Sequence, residues 1–119
     1  MRIDRRAFLA STAAVAATPA FAQTTNPEDA KMRALFDHFF EERLDDSPRA
    51  VTSLGLDKGA RAAAKSRLDD ASLAALARDK ARNADQLRRL KAIDRGKLSA
   101  NDKPNYDAVL FTAENDAAA

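Results

Sequence analysis

His38 is the one histidine of this chain and cysteine is absent, so any metal or nucleophilic chemistry would have to be assembled from carboxylates around a single imidazole. A hydrolytic zinc needs three protein ligands and an open coordination position, and one His with no Cys does not supply that set. General acid–base work asks only for two groups held together. The chain has 18 Asp and Glu residues, yet no spacing among them names a working pair, and no nucleophile–base pair can be named either. Ser53-Leu54-Gly55-Leu56-Asp57-Lys58-Gly59 carries two glycines. It lacks the glycine spacing and the Lys-Ser or Lys-Thr pair of a phosphate cradle, and reads as a helix stop and turn. The residue types therefore assign no catalytic, cofactor-binding or metal-binding residue.

One local signal is specific. Arg5-Arg6-Ala7-Phe8-Leu9 is followed by an alanine-rich apolar stretch, Ala10 to Ala17, and then by Ala20-Phe21-Ala22 before Gln23. A basic start, a short apolar run and a small-x-small end are the layout of a secretory signal. The paired arginines with Phe8 and Leu9 read as a twin-arginine export signal, with Asp4 and Ala10 where Ser or Thr and Lys are more usual. General secretion is the alternative route. The apolar run falls short of the about 20 residues a bilayer span needs, and no Cys follows it to carry a lipid. The expectation is cleavage after Ala22 and a periplasmic or secreted product without a stable membrane anchor. Its first partners are the twin-arginine translocase and signal peptidase.

Removing that segment changes the charge balance. The whole chain carries 20 Lys and Arg against 18 Asp and Glu; without Arg2, Asp4, Arg5 and Arg6 there are 17 of each. A balanced chain gives no electrostatic argument for a nucleic-acid partner or an anionic membrane. The remaining residues, 23–119, suffice for one small domain with a modest core, stabilised by packing alone because there are no disulfides.

Helical signals fill that domain. Asn26-Pro27-Glu28-Asp29 starts a first helix: an Asn cap, Pro at the first helical position, and acids where the helix dipole favours them. Met32, Leu35, Phe36, Phe39, Phe40 and Leu44 recur at three- and four-residue steps on one side of a helix running to about Asp46. His38 falls on its polar side, where a lone His is a solvated side chain. Arg43 falls near the centre of the apolar stripe. Either its stem covers apolar surface while the guanidinium reaches water or the last carbonyls, or it pairs with a carboxylate from another helix or from a further part of the protein.

Ser47-Pro48 stops the first helix and starts a short second one, with Val51 and Leu54 as its apolar positions and Gly55 as its terminator. Ala60 to Leu68 predicts a short basic helix. Asp69-Asp70 caps a longer one from about Ala71 to Asp94, with Leu73, Leu76, Leu87 and Leu90 on its narrow apolar face and Gly96 behind it. The charged side of that helix reads as solvated. Ser99-Ala100-Asn101-Asp102 resembles a capping box and opens a last helix with Tyr106, Val109, Leu110 and Ala113 at helical spacing. Phe36, Phe39, Phe40, Leu87, Leu90, Tyr106 and Leu110 are the expected buried positions. The fold class is all-α: a signal peptide over 1–22, then a small set of amphipathic helices over 23–119, read as an incomplete part of a larger helical protein.

Several stretches carry a resemblance: Leu35-Phe36-Asp37 to Phe40-Glu41-Glu42, Ser47-Pro48, Thr52 to Gly59, Ser66-Arg67-Leu68, Leu90 to Asp94, and Asn105-Tyr106-Asp107-Ala108-Val109-Leu110. Over about Met32 to Glu114 the chain resembles the N-terminal region of bacterial exported proteins of domain-of-unknown-function family 885. The resemblance implies an almost wholly helical fold. In longer members it implies a zinc-metallopeptidase-like part with a His-Glu motif and further histidines downstream. No residue here matches that motif, so zinc belongs to those longer proteins by resemblance only and no site residue is carried over. Pro104 and the Asn115 to Ala119 tail depart from the family pattern, and the tail leads to the expectation of a truncated or frame-disrupted product. Two readings follow: the non-catalytic N-terminal part of a metallohydrolase-like protein, or a self-sufficient periplasmic helical interaction protein using the Phe36, Phe39 and Phe40 face. Self-association is expected of so much apolar surface in so short a chain.

Overall fold

The computed structural model of the chain describes residues 26–119. The export-signal residues Arg5, Arg6, Phe8 and Leu9 and the cleavage residues Ala20, Ala22 and Gln23 lie outside the described residues. Within them the protein is all-α: α1 (Pro27–Asp46), α2 (Pro48–Ser53), α3 (Leu73–Lys91) and α4 (Asp102–Ala118), with 3₁₀ turns at Gly59–Ser66 and Arg95–Lys97. No strand occurs among the described residues.

The start of α1 follows the sequence signal closely and also does more than cap. Asn26 Oδ1 accepts from the amides of Glu28 (2.9 Å) and Asp29 (3.4 Å), satisfying donors that every helix N-terminus leaves open. Its Nδ2 donates to the Lys97 carbonyl at 2.8 Å. Glu28 accepts from the Asp94 amide (2.8 Å), and buried Asp29 accepts from the Ser99 amide (2.9 Å). One turn of α1 thus pins the connection between α3 and α4.

That pinning sets the topology. α3 runs antiparallel to α1, with Glu42 against Arg89 and Asp46 against Arg82. α4 turns back along α3, where Lys91 meets Glu114 and Asn83 donates to the Asp116 carbonyl. Met32, Leu90, Ile93, Leu98 and Tyr106 form the buried core at the pinned end. Leu35, Phe36, Phe39, Val109, Leu110 and Ala113 pack against it, half-buried. A second, smaller cluster of Leu44, Val51 and Ala64 holds α2 and the Gly59–Ser66 turn against the far end of α1.

Four expectations are corrected. Phe40 is 44 % exposed, because α3 and α4 close over the Phe39 side of α1 and stop short of it. Of the other expected core residues, Leu90 and Tyr106 are buried, whereas Phe36, Phe39, Leu87 and Leu110 are half-buried. Leu73 and Leu76 are exposed, since α4 meets α3 only from about Asn83 onward and leaves the first half of α3 without a neighbour on that side. The cap of α3 is Ser72, whose hydroxyl accepts from the Ala75 amide at 3.1 Å. Asp69 and Asp70 serve elsewhere: Asp69 accepts from the Ser47 hydroxyl and the Arg49 amide, and Asp70 from the Ser72 amide. Gly96 does not end α3, which stops at Lys91; it sits inside the second 3₁₀ turn.

Two further signals are fulfilled only in part. The helix expected over Ala60 to Leu68 is instead a 3₁₀ element, Gly59–Ser66, which begins at Gly59 with φ +55°, has no side-chain cap and gives way to extended backbone at Arg67. The Ser99 hydroxyl does accept from the Asp102 amide at 3.3 Å, yet the reciprocal arm of a capping box is missing. Asp29 takes the Ser99 amide instead, and Asp102 turns to Arg33.

Candidate functional site

α1 and α4 start side by side, joined by the Arg33–Asp102 ion pair at 2.8 Å. Farther along they leave a groove of about 730 Å³ with α3 beneath it. α1 supplies Phe36, Phe39, Phe40 and Arg43, and small residues (Ala75 from α3, Ala108 and Ala113 from α4) leave the space open. The volume falls within the range of about 300–1,000 Å³ usual for ligand clefts. Past Phe40 and Arg43 it continues into a shallower hollow of about 410 Å³ beside α2, lined by Arg49, Ala50, Ser53 and Leu54. Phe40, Arg43, Ser47 and Asp69 belong to both.

The spacing of α1 creates this surface. Phe36, Phe40 and Arg43 stand at i, i+4 and i+7, a ridge beside the Met32–Leu35–Phe39 face; Phe36 still packs against the core, whereas Phe40 and Arg43 are exposed. Phe39 carries the Arg89 guanidinium over its ring, 4.9 Å from the centroid, a contact that ties α1 to α3. Phe40 has no such cover. Leu54, at the end of α2, is 55 % exposed beside it.

Charges on the walls of the groove are mostly spoken for. Arg82 pairs with Asp46 and Asp79, and Arg78 with Asp70. Hydrogen bonds from the Arg49 amide and then the Ser47 hydroxyl hold the Asp69 carboxyl below its usual range. Behind the groove, Glu42 accepts from Gln86 Nε2 and Arg89 Nη2, both at 2.6 Å. Burial pushes the Glu42 carboxyl up, but those two bonds and the nearby cationic charge outweigh it and the net direction is down. Arg89 Nε lies 2.8 Å from Asp85 and is held there by charge without an aligned hydrogen bond.

Arg43 makes no ion pair or side-chain hydrogen bond among the described residues; its carbonyl accepts the Ser47 amide at the end of α1. Of the two readings of its position in the apolar stripe, the structure shows an exposed cation at the groove, not a buried pair with another helix. His38 is exposed, with Nε2 3.2 Å from Glu42. Among the described residues no three His, Cys, Asp or Glu side chains converge to hold a metal ion, and no helix is long and apolar enough to cross a membrane. Sequence reasoning missed Arg49 and Leu54 as parts of this surface. Their helix is only six residues long, too short for a periodic pattern to assign a face, and the fold of the α1–α2 corner brings them to Phe40.

No family model, curated protein or solved structure matches this chain.

Proposed function

We propose that this chain is exported by the twin-arginine route and that its helices serve outside the cytoplasm as a non-catalytic binding segment. The observation that carries the binding role is the groove: Phe40 and Arg43 lie on an open ridge that the core does not use. An apolar ridge beside a cation that has no ion pair among the described residues is a surface suited to a partner helix. The export role rests on Arg5, Arg6, Phe8, Leu9 and the Ala20-Phe21-Ala22 end. The resemblance to family 885 supports placing such a segment beside a metallohydrolase-like part rather than inside its active centre.

Replacing Arg5 and Arg6 together by Lys tests the export role. The expected result is uncleaved precursor in the cytoplasm, against wild-type product in the periplasm beginning at Gln23. Variant protein reaching the periplasm at the wild-type level would remove the twin-arginine route from the proposal. Peptidase activity of the purified chain that is abolished by chelation would remove the non-catalytic role.

A second reading, a self-sufficient interaction protein, is favoured by the two closed clusters around Met32 and Leu44. Sedimentation and thermal unfolding separate the two. A compact monomer with one cooperative transition supports the self-sufficient module, and marginal stability or self-association supports a segment of a larger assembly.

A further inference from the structure

We infer that the continuous surface of Phe36, Phe40, Arg43, Arg49 and Leu54 is the docking site for an acidic amphipathic helix of a partner protein. The inference rests on the reading of the groove as a binding surface and does not depend on export. Charge complementarity selects the partner. Of the ten arginines among the described residues, seven pair with carboxylates. The three that do not are Arg43, Arg49 and Arg67, and two of these stand at one hollow with Phe40 and Leu54 between them. Among the described residues Arg67 is the one other arginine without a carboxylate, and it stands alone on the surface; here two such guanidinium groups lie together beside exposed apolar side chains.

Shape selects a helix. α1 and α4 both pack beside α3, and the gap between them is lined by α1 from Phe36 to Asp46 and by α4 from Ala108 to Asp116, with small residues at Ala75, Ala108 and Ala113. A helix seated there would be the fourth of a bundle. Its apolar face would meet Phe36 and Phe40, and a carboxylate near its end would reach Arg43 and Arg49. An anionic membrane surface fits less well, because the site is concave, with Phe36 and Phe40 on one wall and Ala108 and Ala113 on the other, whereas a bilayer surface is flat on this scale. Asp46, Asp70 and Asp79 on the rim are paired with Arg82 and Arg78, so the carboxylate of a docked helix is placed at Arg43 and Arg49 and not along the rim.

The test is a fluorescence-anisotropy titration of the purified full chain. The probe is a dye-labelled synthetic amphipathic helix with Leu on one face and Glu on the other; the control has Lys in place of Glu. The Glu peptide is expected to bind and the Lys peptide to bind at least about tenfold more weakly, with affinity falling as salt rises. Arg43→Glu with Arg49→Glu is expected to weaken the Glu peptide by at least about tenfold and to narrow the preference over Lys. Neither side chain is part of an ion pair among the described residues, so the far-ultraviolet circular dichroism of the double variant is expected to match the wild type, with a small fall in melting temperature because the charge of Arg49 acts on Asp69. Arg43→Gln with Arg49→Gln, which removes the two charges without adding carboxylates beside Asp69, is expected to weaken the Glu peptide in the same direction. Phe40→Ala is a further variant; it is expected to weaken both peptides without changing the preference.

Failure of the Glu peptide to bind overturns the inference, and so does equal binding of both peptides. Binding undiminished in the double variant does the same. Cosedimentation with phosphatidylglycerol vesicles that is lost in the double variant would assign the surface to a membrane instead. A dimer lost in the double variant would assign it to a second copy of the chain. None of these outcomes touches the fate of the Arg5 and Arg6 variant, so failure of the docking site and failure of the export reading are read separately.

Discussion

Leu73 and Leu90 belong to the same stripe of α3 by helical spacing, yet one is 86 % exposed and the other wholly buried. Periodicity reports which side of a helix faces inward; it does not report how far along that side a neighbour extends. Leu90 lies where α1, α4 and the Ile93–Leu98 connection converge, whereas Leu73 lies beyond the reach of α4. Leu90→Ala is accordingly expected to cost about 2–5 kcal/mol, the range for emptying a buried Leu site. Leu73→Ala is expected to stay within about 0.5 kcal/mol, as for surface changes. Urea unfolding of both variants decides it, and equal losses would mean that Leu73 is covered in solution. The same distinction explains Phe40, which the α1 pattern groups with Phe36 and Phe39 although its ring lines an open surface.

Local signals at the element scale were legible wherever the cap and the residue it serves are close in sequence. Asn26-Pro27, Ser47-Pro48 and Gly55 could be read directly because a side-chain oxygen, a fixed φ or a left-handed turn at φ +69° acts on the adjacent backbone. The start of α3 was not legible in that way. Asp69-Asp70 offers two good caps, but Asp69 is drawn to Ser47 and Arg49, 20 or more residues earlier, and that tertiary contact passes the capping to Ser72. Ser72→Ala should therefore destabilise the chain by about 1 kcal/mol, the usual loss of a Ser cap. Asp69→Asn should leave α3 unchanged and loosen α2, because Asp69 accepts the amide at the α2 start. Hydrogen exchange resolves the two: faster exchange is expected at Ala75 for the first variant and at Arg49 for the second. Faster exchange at Ala75 in the Asp69 variant would contradict this division of roles.

At the scale of the whole molecule, a sequence with balanced charge conceals how its charges are used. Neutral bookkeeping excluded a nucleic-acid argument, yet could not indicate that Glu42, Gln86 and Arg89 join α1 to α3, or that Arg95 grips Asp107 at 2.7 Å through both oxygens. Those partnerships follow from which helix faces which, and the pinning of residues 94–99 by Asn26, Glu28 and Asp29 determines that. Their shared consequence is acid sensitivity. The carboxyls of Glu42, Asp69, Asp70, Asp85, Asp94 and Asp107 are all held below their ordinary values in the folded chain. The unfolded chain, with carboxyls near their reference values of about 3.9 for Asp and 4.3 for Glu, therefore binds more protons in acid than the folded one. The stability they contribute is fully present above those reference values and is lost as pH falls through the lower folded-state values. Stability is thus expected to be level from neutrality to about pH 5 and to decline below about pH 4. Exposed pairs contribute little each, so half-buried Glu42 should account for a disproportionate share of the decline. Denaturant midpoints of wild type and Glu42→Gln across this range test that share: the variant is expected to start lower at neutral pH and fall less steeply in acid. Parallel curves would show that α1 is held to α3 by the Met32–Leu90 core and the Phe39–Arg89 contact, with Glu42 adding nothing that depends on its charge.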